Sequence, residues 1–376
     1  MQERMFYAPG RVEIGGNHTD HQRGRVIAAA INMETKCVAV VNKTGVVYIK
    51  SDGFDETVVD LTDLTPRESE KGTTAALVRG IAAWFSLNGH PIGGFDGRVT
   101  SDLPAGIGLS SSAAFEVLVG NVFKGLYNAD VSTLDIALAG QFAENVYFGK
   151  PCGLMDQAAS SFGGLTMFDF NDPQKPIVTP ININKKMDGY ALCVVATGDS
   201  HADMTDDYAA IPAEMKAVAN CFGKEDLRAV DANEFFKSIG KLRSVGDRAV
   251  LRAMHFFEEN ERVLRQAEAL QRGDIPVFLR LVYESGFSSH NYLQNIFSPT
   301  NPKEQGLSLA LALCEQLIRS EGAYRVHGGG FAGTVLAFVP VAVKEDFTNN
   351  MCNVFGENCC HFLKFSQKGG REMQNY

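Results

Sequence analysis

Residues 104–113 read Pro-Ala-Gly-Ile-Gly-Leu-Ser-Ser-Ser-Ala, and the run AAFEVLVGNVFKGLY, with helical spacing, extends from its end to residue 127. Glycines at 106 and 108 let the backbone turn tightly and aim its N–H groups outward. The serines at 110–112 then open a helix, whose first N–H groups and dipole favour an anion. Hydroxyls at such a point hydrogen-bond phosphate oxygens or coordinate Mg²⁺. A Gly/Ser surface loop with a serine cap is the plainer alternative. Neither GxxxxGKS nor GxxxxGKT occurs anywhere, which excludes a Walker-type NTPase.

Three further stretches carry chemistry. Residues 8–21, APGRVEIGGNHTDH, put Arg11, His18, Asp20 and His21 on a glycine-bent loop. So dense a set of donors and acceptors suits a polyhydroxylated ligand. A polar turn is the bland reading, and HxxH off a helix is poor metal geometry. Residues 152–157, CGLMDQ, place Asp156 in an apolar setting, which is costly unless the carboxylate is paired or caps the next helix. Residues 327–333, HGGGFAG, satisfy GxGxxG by letters. A dinucleotide site requires a helix next, but the adjoining residues TVLAFVPV are strand-like, so a glycine-rich hairpin closing on another site is expected instead.

Composition sets the frame. The chain has 376 residues, a net charge of −9, 45% hydrophobic and 21% charged residues. This is a globular profile with no basic patch for nucleic acid. Glycine numbers 37, above the usual ~7%, and its excess lies in the motifs just described. The N-terminus has charges at once and no apolar segment of signal-peptide type. The longest apolar run, 334–343, is far below the ~18–20 residues of a membrane span. Eight cysteines without CxxC spacing read as reduced thiols of a cytoplasmic protein. The adjacent Cys359 and Cys360 lack nearby partner ligands in the sequence, which disfavours a metal.

Strands are expected at 26–31, 37–41 and 46–50, helices from Ser111 and from Ser132 through Phe148, and a strand pair around Gly163-Gly164 ending at 170. Ser132 and Asp135 form a capping-box pattern. The Pro-rich segment 171–182 suggests a domain edge. Beyond it come a strand at 190–197, helices at 245–271 and 304–320, and a strand–turn–strand at 323–341. This α and β mixture argues a two-domain α+β or α/β enzyme.

Together and in this order, the motifs resemble the galactokinase branch of the GHMP small-molecule kinases over nearly the whole chain. APGRV and GNHTDH look like its signature loop, PAGIGLSSSAA its phosphate motif, AENVYFGKPCGLMDQ its catalytic-aspartate segment and HGGGFAGT its third motif. The resemblance implies an α+β GHMP kinase fold, with a ribosomal-protein-S5-like domain over 1–178 and a ferredoxin-like domain over 179–376. It implies Arg11 and Asp156 as catalytic residues, and Asn17, His18, Asp20, Gly153 and Tyr208 as sugar contacts. It further implies Gly106, Gly108, Leu109, Ser110, Ser111 and Ser112 at the nucleotide, and Ser112 and Glu144 as Mg²⁺ ligands. The implied reaction is galactose plus ATP to α-galactose 1-phosphate plus ADP, with no nucleic-acid or membrane partner.

The loop departs from the family. The usual Glu-His-Thr-Asp-Tyr is Asn17-His-Thr-Asp-His21 here, and Glu13 stands where the family commonly has Asn. The family's glutamate meets the sugar near its 6-hydroxyl. Asn17 would not repel a C6 carboxylate, so galacturonate is the alternative substrate. A galactokinase-like sugar sensor is the non-catalytic alternative, against which stand the intact Arg11, Ser112, Glu144 and Asp156.

Overall fold

The computed structural model describes residues 2–104, 106–183, 187–198, 205–319 and 321–373. Ala105 of the phosphate loop lies outside these. Seven strands come first: β1 (Arg4–Gly15), β2 (Arg25–Val41), β3 (Val46–Ser51), β4 (Thr57–Asp60), β5 (Phe95–Ser101), β6 (Leu165–Asp169) and β7 (Ile177–Pro180). Next come β8 (Tyr190–Ala196), β9 (Ala323–His327), β10 (Thr334–Pro340), β11 (Cys360–Leu363) and β12 (Arg371–Glu372). One mixed sheet runs β12-β1-β2-β5-β3-β4, with β6 also on β2 and β7 on β6. The other runs β11-β8-β10-β9, antiparallel throughout.

The helices are α1 (Thr74–Leu87), α2 (Ser111–Tyr127), α3 (Thr133–Phe142), α4 (Met155–Phe162), α5 (Thr205–Asn220), α6 (Ala232–Leu242), α7 (Asp247–Arg272), α8 (Ile275–Ser288), α9 (Gly306–Ile318) and α10 (Lys344–Phe355). Helices α1–α3 cover the first sheet through a core that includes Phe6, Phe85, Phe95 and Phe123. Each such side chain contributes roughly 1.5–3 kcal/mol by leaving water. A second core, with Val12, Ile14, Val263, Phe278 and Leu336, joins both sheets through α7 and α8. The cleft between the sheets is thus held by continuous apolar packing. Among the described residues, no helix is long and apolar enough to cross a membrane.

Local expectations hold where the signal is local. Ser132 and Asp135 form the capping box, and 323–341 forms the hairpin β9–β10. Three differ. The strands expected at 26–31 and 37–41 are one strand, β2, because β1 flanks both parts while the other edge changes partner from β6 to β5. The helix expected through Phe148 loosens after Phe142 into a π-type turn, where Gly149 N–H reaches the Glu144 carbonyl at 3.0 Å. Gly163 ends α4 rather than joining two strands: its N–H closes on the Ala159 carbonyl and its φ of 74° is left-handed.

Candidate active site

β1 carries Arg11 into a cleft of about 1160 Å³ between the two sheets. The Arg11 guanidinium makes two parallel 2.7 Å bonds to the Asp156 carboxylate, from Nε to Oδ1 and from Nη2 to Oδ2. Its Nη1 donates to the Gly108 carbonyl at 2.6 Å, so the same cation holds both the carboxylate and the phosphate-type loop. Asp156 lies in the first turn of α4, 31% exposed to the cleft, and also accepts from the Ser110 hydroxyl. Burial pushes its pKa up, but the charge and hydrogen bonds of Arg11, with the Ser110 bond, outweigh that and hold it below the ordinary aspartate value. Asp156 is therefore an ionised acceptor facing solvent-accessible space.

The glycine–serine loop has the backbone its chemistry needs. Gly106 and Gly108 take φ of 78° and 67°. Ser110, a non-glycine, is held at φ 56° immediately before α2, a conformation sparsely populated by such residues. All six residues expected at the nucleotide, 106 and 108–112, line the cleft at the start of α2. Arg11, Asp20, Gly153, Asp156 and Tyr208 line it as well.

Asp20 and Gly153 are a matched pair. A Cβ on Gly153 would lie 1.8 Å from Asp20 Oδ2, so the missing side chain is what lets the carboxylate in. Tyr208, on α5, packs against Gly329, whose added Cβ would meet its ring at 2.7 Å. Its ring lies 5.2 Å from that of His18 and 5.8 Å from that of His21.

Asn17 is placed differently from its expected sugar contact. It is 0% exposed and outside the cleft lining. Its Nδ2 donates to Glu13 Oε1 (3.1 Å) and the Gly328 carbonyl (2.8 Å). Its Oδ1 accepts from Ser289 (3.1 Å) and Asn295 (2.9 Å), so the amide is fully engaged by protein. Glu13, on β1, pairs in turn with the wholly buried Arg325. His18 also sits behind the lining, donating from Nε2 to the Gly329 carbonyl at 2.9 Å. His327 accepts the Glu13 N–H at Nε2, so its proton is on Nδ1, which faces Thr334 Oγ1 at 3.1 Å. Burial first, then Arg11 and Arg325, hold it neutral.

Glu144 lies on the π-type turn, 3% exposed and behind the lining. Its Oε2 accepts from Gln157 at 2.9 Å, and its Oε1 is 3.6 Å from Lys150, which does line the cleft. The same Gln157 nitrogen donates at 2.9 Å to Glu116, whose other oxygen has no partner. Burial, then the Glu144 charge, drive the Glu116 pKa well up. Two buried carboxylates share one amide, and one Glu116 oxygen is orphaned one helical turn after Ser112, so hard oxygen acceptors outnumber the donors the protein offers them. That donor set fits Mg²⁺. Sequence reasoning misses Glu116; the available signal is a carboxylate inside the apolar run AAFEVLVG.

A glycine–serine helix start beside a guanidinium-held carboxylate, in a cleft between two sheets, is the arrangement of a GHMP-type small-molecule kinase. The GHMP kinases N terminal domain profile matches residues 75–164, and the galactokinase galactose-binding signature matches residues 1–41. The chain is 34% identical over 352 residues to a galactokinase of Mannheimia succiniciproducens, covering 92% of this chain and 87% of the relative. It is 31% identical over 340 residues to a galactokinase of Glaesserella parasuis, covering 90% and 85%. The crystal structure of Lactococcus lactis galactokinase complexed with galactose shares the fold at TM-score 0.83 and 24% identity, over 99% of this chain and 95% of that one. Methanococcus jannaschii mevalonate kinase shares it at TM-score 0.66 and 14% identity, over 99% of each chain. The chain belongs to the galactokinase family.

Proposed function

We propose that this protein is an ATP-dependent galactose 1-kinase, forming α-galactose 1-phosphate and ADP. The observation that carries this reading is the ionised Asp156, doubly bonded to Arg11 at 2.7 Å and open to the cleft that the 106–112 loop also lines. Phosphoryl transfer needs positioning and charge neutralisation more than covalent help. Asp156 orients the C1 hydroxyl and takes its proton as O1 attacks the γ-phosphorus, and ADP leaves with the bridging oxygen. Arg11 keeps Asp156 ionised and offers its guanidinium to charge on the transferring group. Backbone N–H groups of the 106–112 loop and the α2 dipole receive the nucleotide phosphates. Asp20, Tyr208 and the Gly153 backbone bind the sugar, while Asn17 and His18 position the loops from behind.

Ser112 and Glu144 are the proposed Mg²⁺ ligands. The ion, when bound with the nucleotide, neutralises charge on the phosphates. A two-domain division is supported by the separate sheets, but the expected boundary at 178/179 falls inside β7, which pairs with β6 in the first sheet, and β12 also returns to that sheet.

The test is a panel of hexoses and uronic acids with Mg·ATP, following ADP release and the position of the new phosphate. Turnover of galactose to the 1-phosphate is expected. Phosphorylation of galacturonate alone would replace the substrate, and ADP release from neither would leave a sugar-binding protein.

A further inference from the structure

One chemistry-bearing cluster lies outside the cleft. Cys193, Cys314, Cys352, Cys359 and Cys360 all belong to the core beneath α9 and α10. None of the five lines the cleft. The last turn of α10 carries Cys352, and the helix stops where the Gly356 N–H meets the Cys352 carbonyl at 3.0 Å. Gly356 and Asn358 take left-handed φ of 91° and 63°, which reverses the chain within three residues. The Ala196 N–H then fastens the Cys359 carbonyl to β8 at 2.8 Å. This scaffold brings Cys359 Sγ to 3.7 Å from Cys352 Sγ and 3.8 Å from Cys360 Sγ, with all three sulfurs inside 4.8 Å of one another.

Those separations have a chemical meaning. A zinc–thiolate bond of ~2.3 Å makes the sulfur–sulfur edge of a tetrahedron about 3.8 Å. Three sulfurs therefore already stand close to one face of a metal coordination sphere. A disulfide bond of ~2.05 Å would instead require either neighbouring pair to close by well over an ångström, against a helix cap and a sheet hydrogen bond. The partner ligand that the adjacent cysteines lack in sequence is Cys352, delivered by the left-handed turn. Soft thiolates without a hard oxygen in the set select d¹⁰ ions over Mg²⁺ or Ca²⁺.

We propose that Cys352, Cys359 and Cys360 form a binding site for a thiophilic d¹⁰ cation, zinc or copper(I), independent of the kinase centre. Each thiol exchanges its proton to solvent for a sulfur–metal bond, with no change of oxidation state. Copper(I) is complete with three sulfurs; zinc takes water as its fourth ligand.

The reduced full-length protein is loaded anaerobically with Zn²⁺ or with Cu⁺, desalted, and analysed for bound metal. One equivalent of at least one ion is expected in the wild type and in Cys221→Ser, and less than a tenth of that in Cys352→Ser and Cys359→Ser. Zinc retention with tetrahedral Co²⁺ spectra on substitution identifies the four-coordinate form; Cu⁺ retention alone identifies the three-coordinate form. In the unsubstituted protein, bound metal should slow alkylation of Cys352 at least tenfold, a readout that needs no variant to fold. Failure to retain either ion, retention unaltered by both substitutions, or unprotected Cys352 in loaded protein would overturn the proposal.

Discussion

Replacing Asn17 by glutamate restores the family's usual residue, and the structure says it should damage this protein. The Asn17 amide donates two hydrogen bonds, one of them at 3.1 Å to the Glu13 carboxylate, from a side chain with no exposure. Glutamate would set oxygens against Glu13 Oε1 and the Gly328 carbonyl. Buried Glu13 keeps Arg325 but loses one of its two donors, the half-buried Gly328 carbonyl loses its own, at ~1–3 kcal/mol each, and a second carboxylate enters beside the first. Uncompensated buried charge costs about 3–5 kcal/mol, so a total near 4–6 kcal/mol is expected after relaxation and partial protonation. That is a large fraction of a typical ~5–15 kcal/mol stability. The double variant Glu13→Asn/Asn17→Glu keeps one carboxylate and one amide in the same network, and should recover most of the loss. Denaturant unfolding of wild type, both single variants and the double variant measures the coupling, expected above ~2 kcal/mol. Additive single effects, or an Asn17→Glu protein of wild-type stability with improved galactose kcat/KM, would show that residue 17 faces the sugar and refute this network.

Gly153→Ala is compatible with the backbone but meets Asp20 Oδ2 at 1.8 Å, so the carboxylate must shift by more than an ångström. Galactose KM should rise and kcat/KM fall by up to ~10²-fold while ATP KM stays within a few-fold, measured by steady-state kinetics in each substrate. Asp156→Asn keeps shape but removes charge and basicity; kcat should drop ~10²–10⁴-fold with nucleotide affinity preserved by calorimetry, and near-normal turnover would contradict its role. Buried His18, His255 and His327 all have pKa values lowered, first by burial, below the ordinary 6.5. The unfolded chain protonates them first, so their contribution is full above pH 6.5 and is lost as pH falls below it, at up to ~4 kcal/mol per pH unit for three sites. Glu259 acts in the same direction lower down: burial raises its pKa, Arg262, His255 and Arg325 outweigh that to about 2, and its contribution fades from 4.5 towards 2. Melting temperature should therefore start falling just below pH 6.5; a flat profile to pH 5 would refute the neutral assignment.

The sequence makes legible what a short run of chain determines by itself. Gly106, Gly108 and Ser110–Ser112 specify a tight turn and a helix start, and they deliver both. Arg11 and Asp156 are legible as residue types, since a lone carboxylate in an apolar setting demands a cation. The orientation of Asn17 is not legible. It depends on Gly16 at φ 92° and on Ser289 and Asn295, more than 270 positions away. Nor is the π-type turn that sets Glu144 against Gln157, because the AENVYF segment has no distinctive side-chain period. The Cys352 approach depends on two left-handed residues in a loop, a signal that only Gly356 hints at.

Three of the non-glycine residues with left-handed φ around the cleft, His18, Ser110 and Phe331, are each held by a bond across the molecule, whereas a fourth, Arg23, bonds locally to the Asp20 carbonyl. His18 donates to the Gly329 carbonyl, Ser110 to Asp156, and the Phe331 N–H to the Asn295 carbonyl at 2.6 Å. Such conformations cost ~1–3 kcal/mol apiece and persist only where the surroundings over-determine them. The bonds divide into two sets. His18, Asn17 and Asn295 lock the 8–21 loop to the glycine hairpin, so this wall of the cleft is held in place by the protein's own hydrogen bonds. Ser110 and Gly108 are tied to that side by the side chains of Asp156 and Arg11, beside the backbone bond from the Arg11 N–H to the Leu109 carbonyl. The Arg11–Asp156 ion pair is therefore also a joint between the proposed sugar side and the proposed phosphate side of the cleft. Removing either member should loosen the relative placement of the two substrates as well as the chemistry, which is why kcat is expected to respond to Asp156→Asn far more than either binding constant.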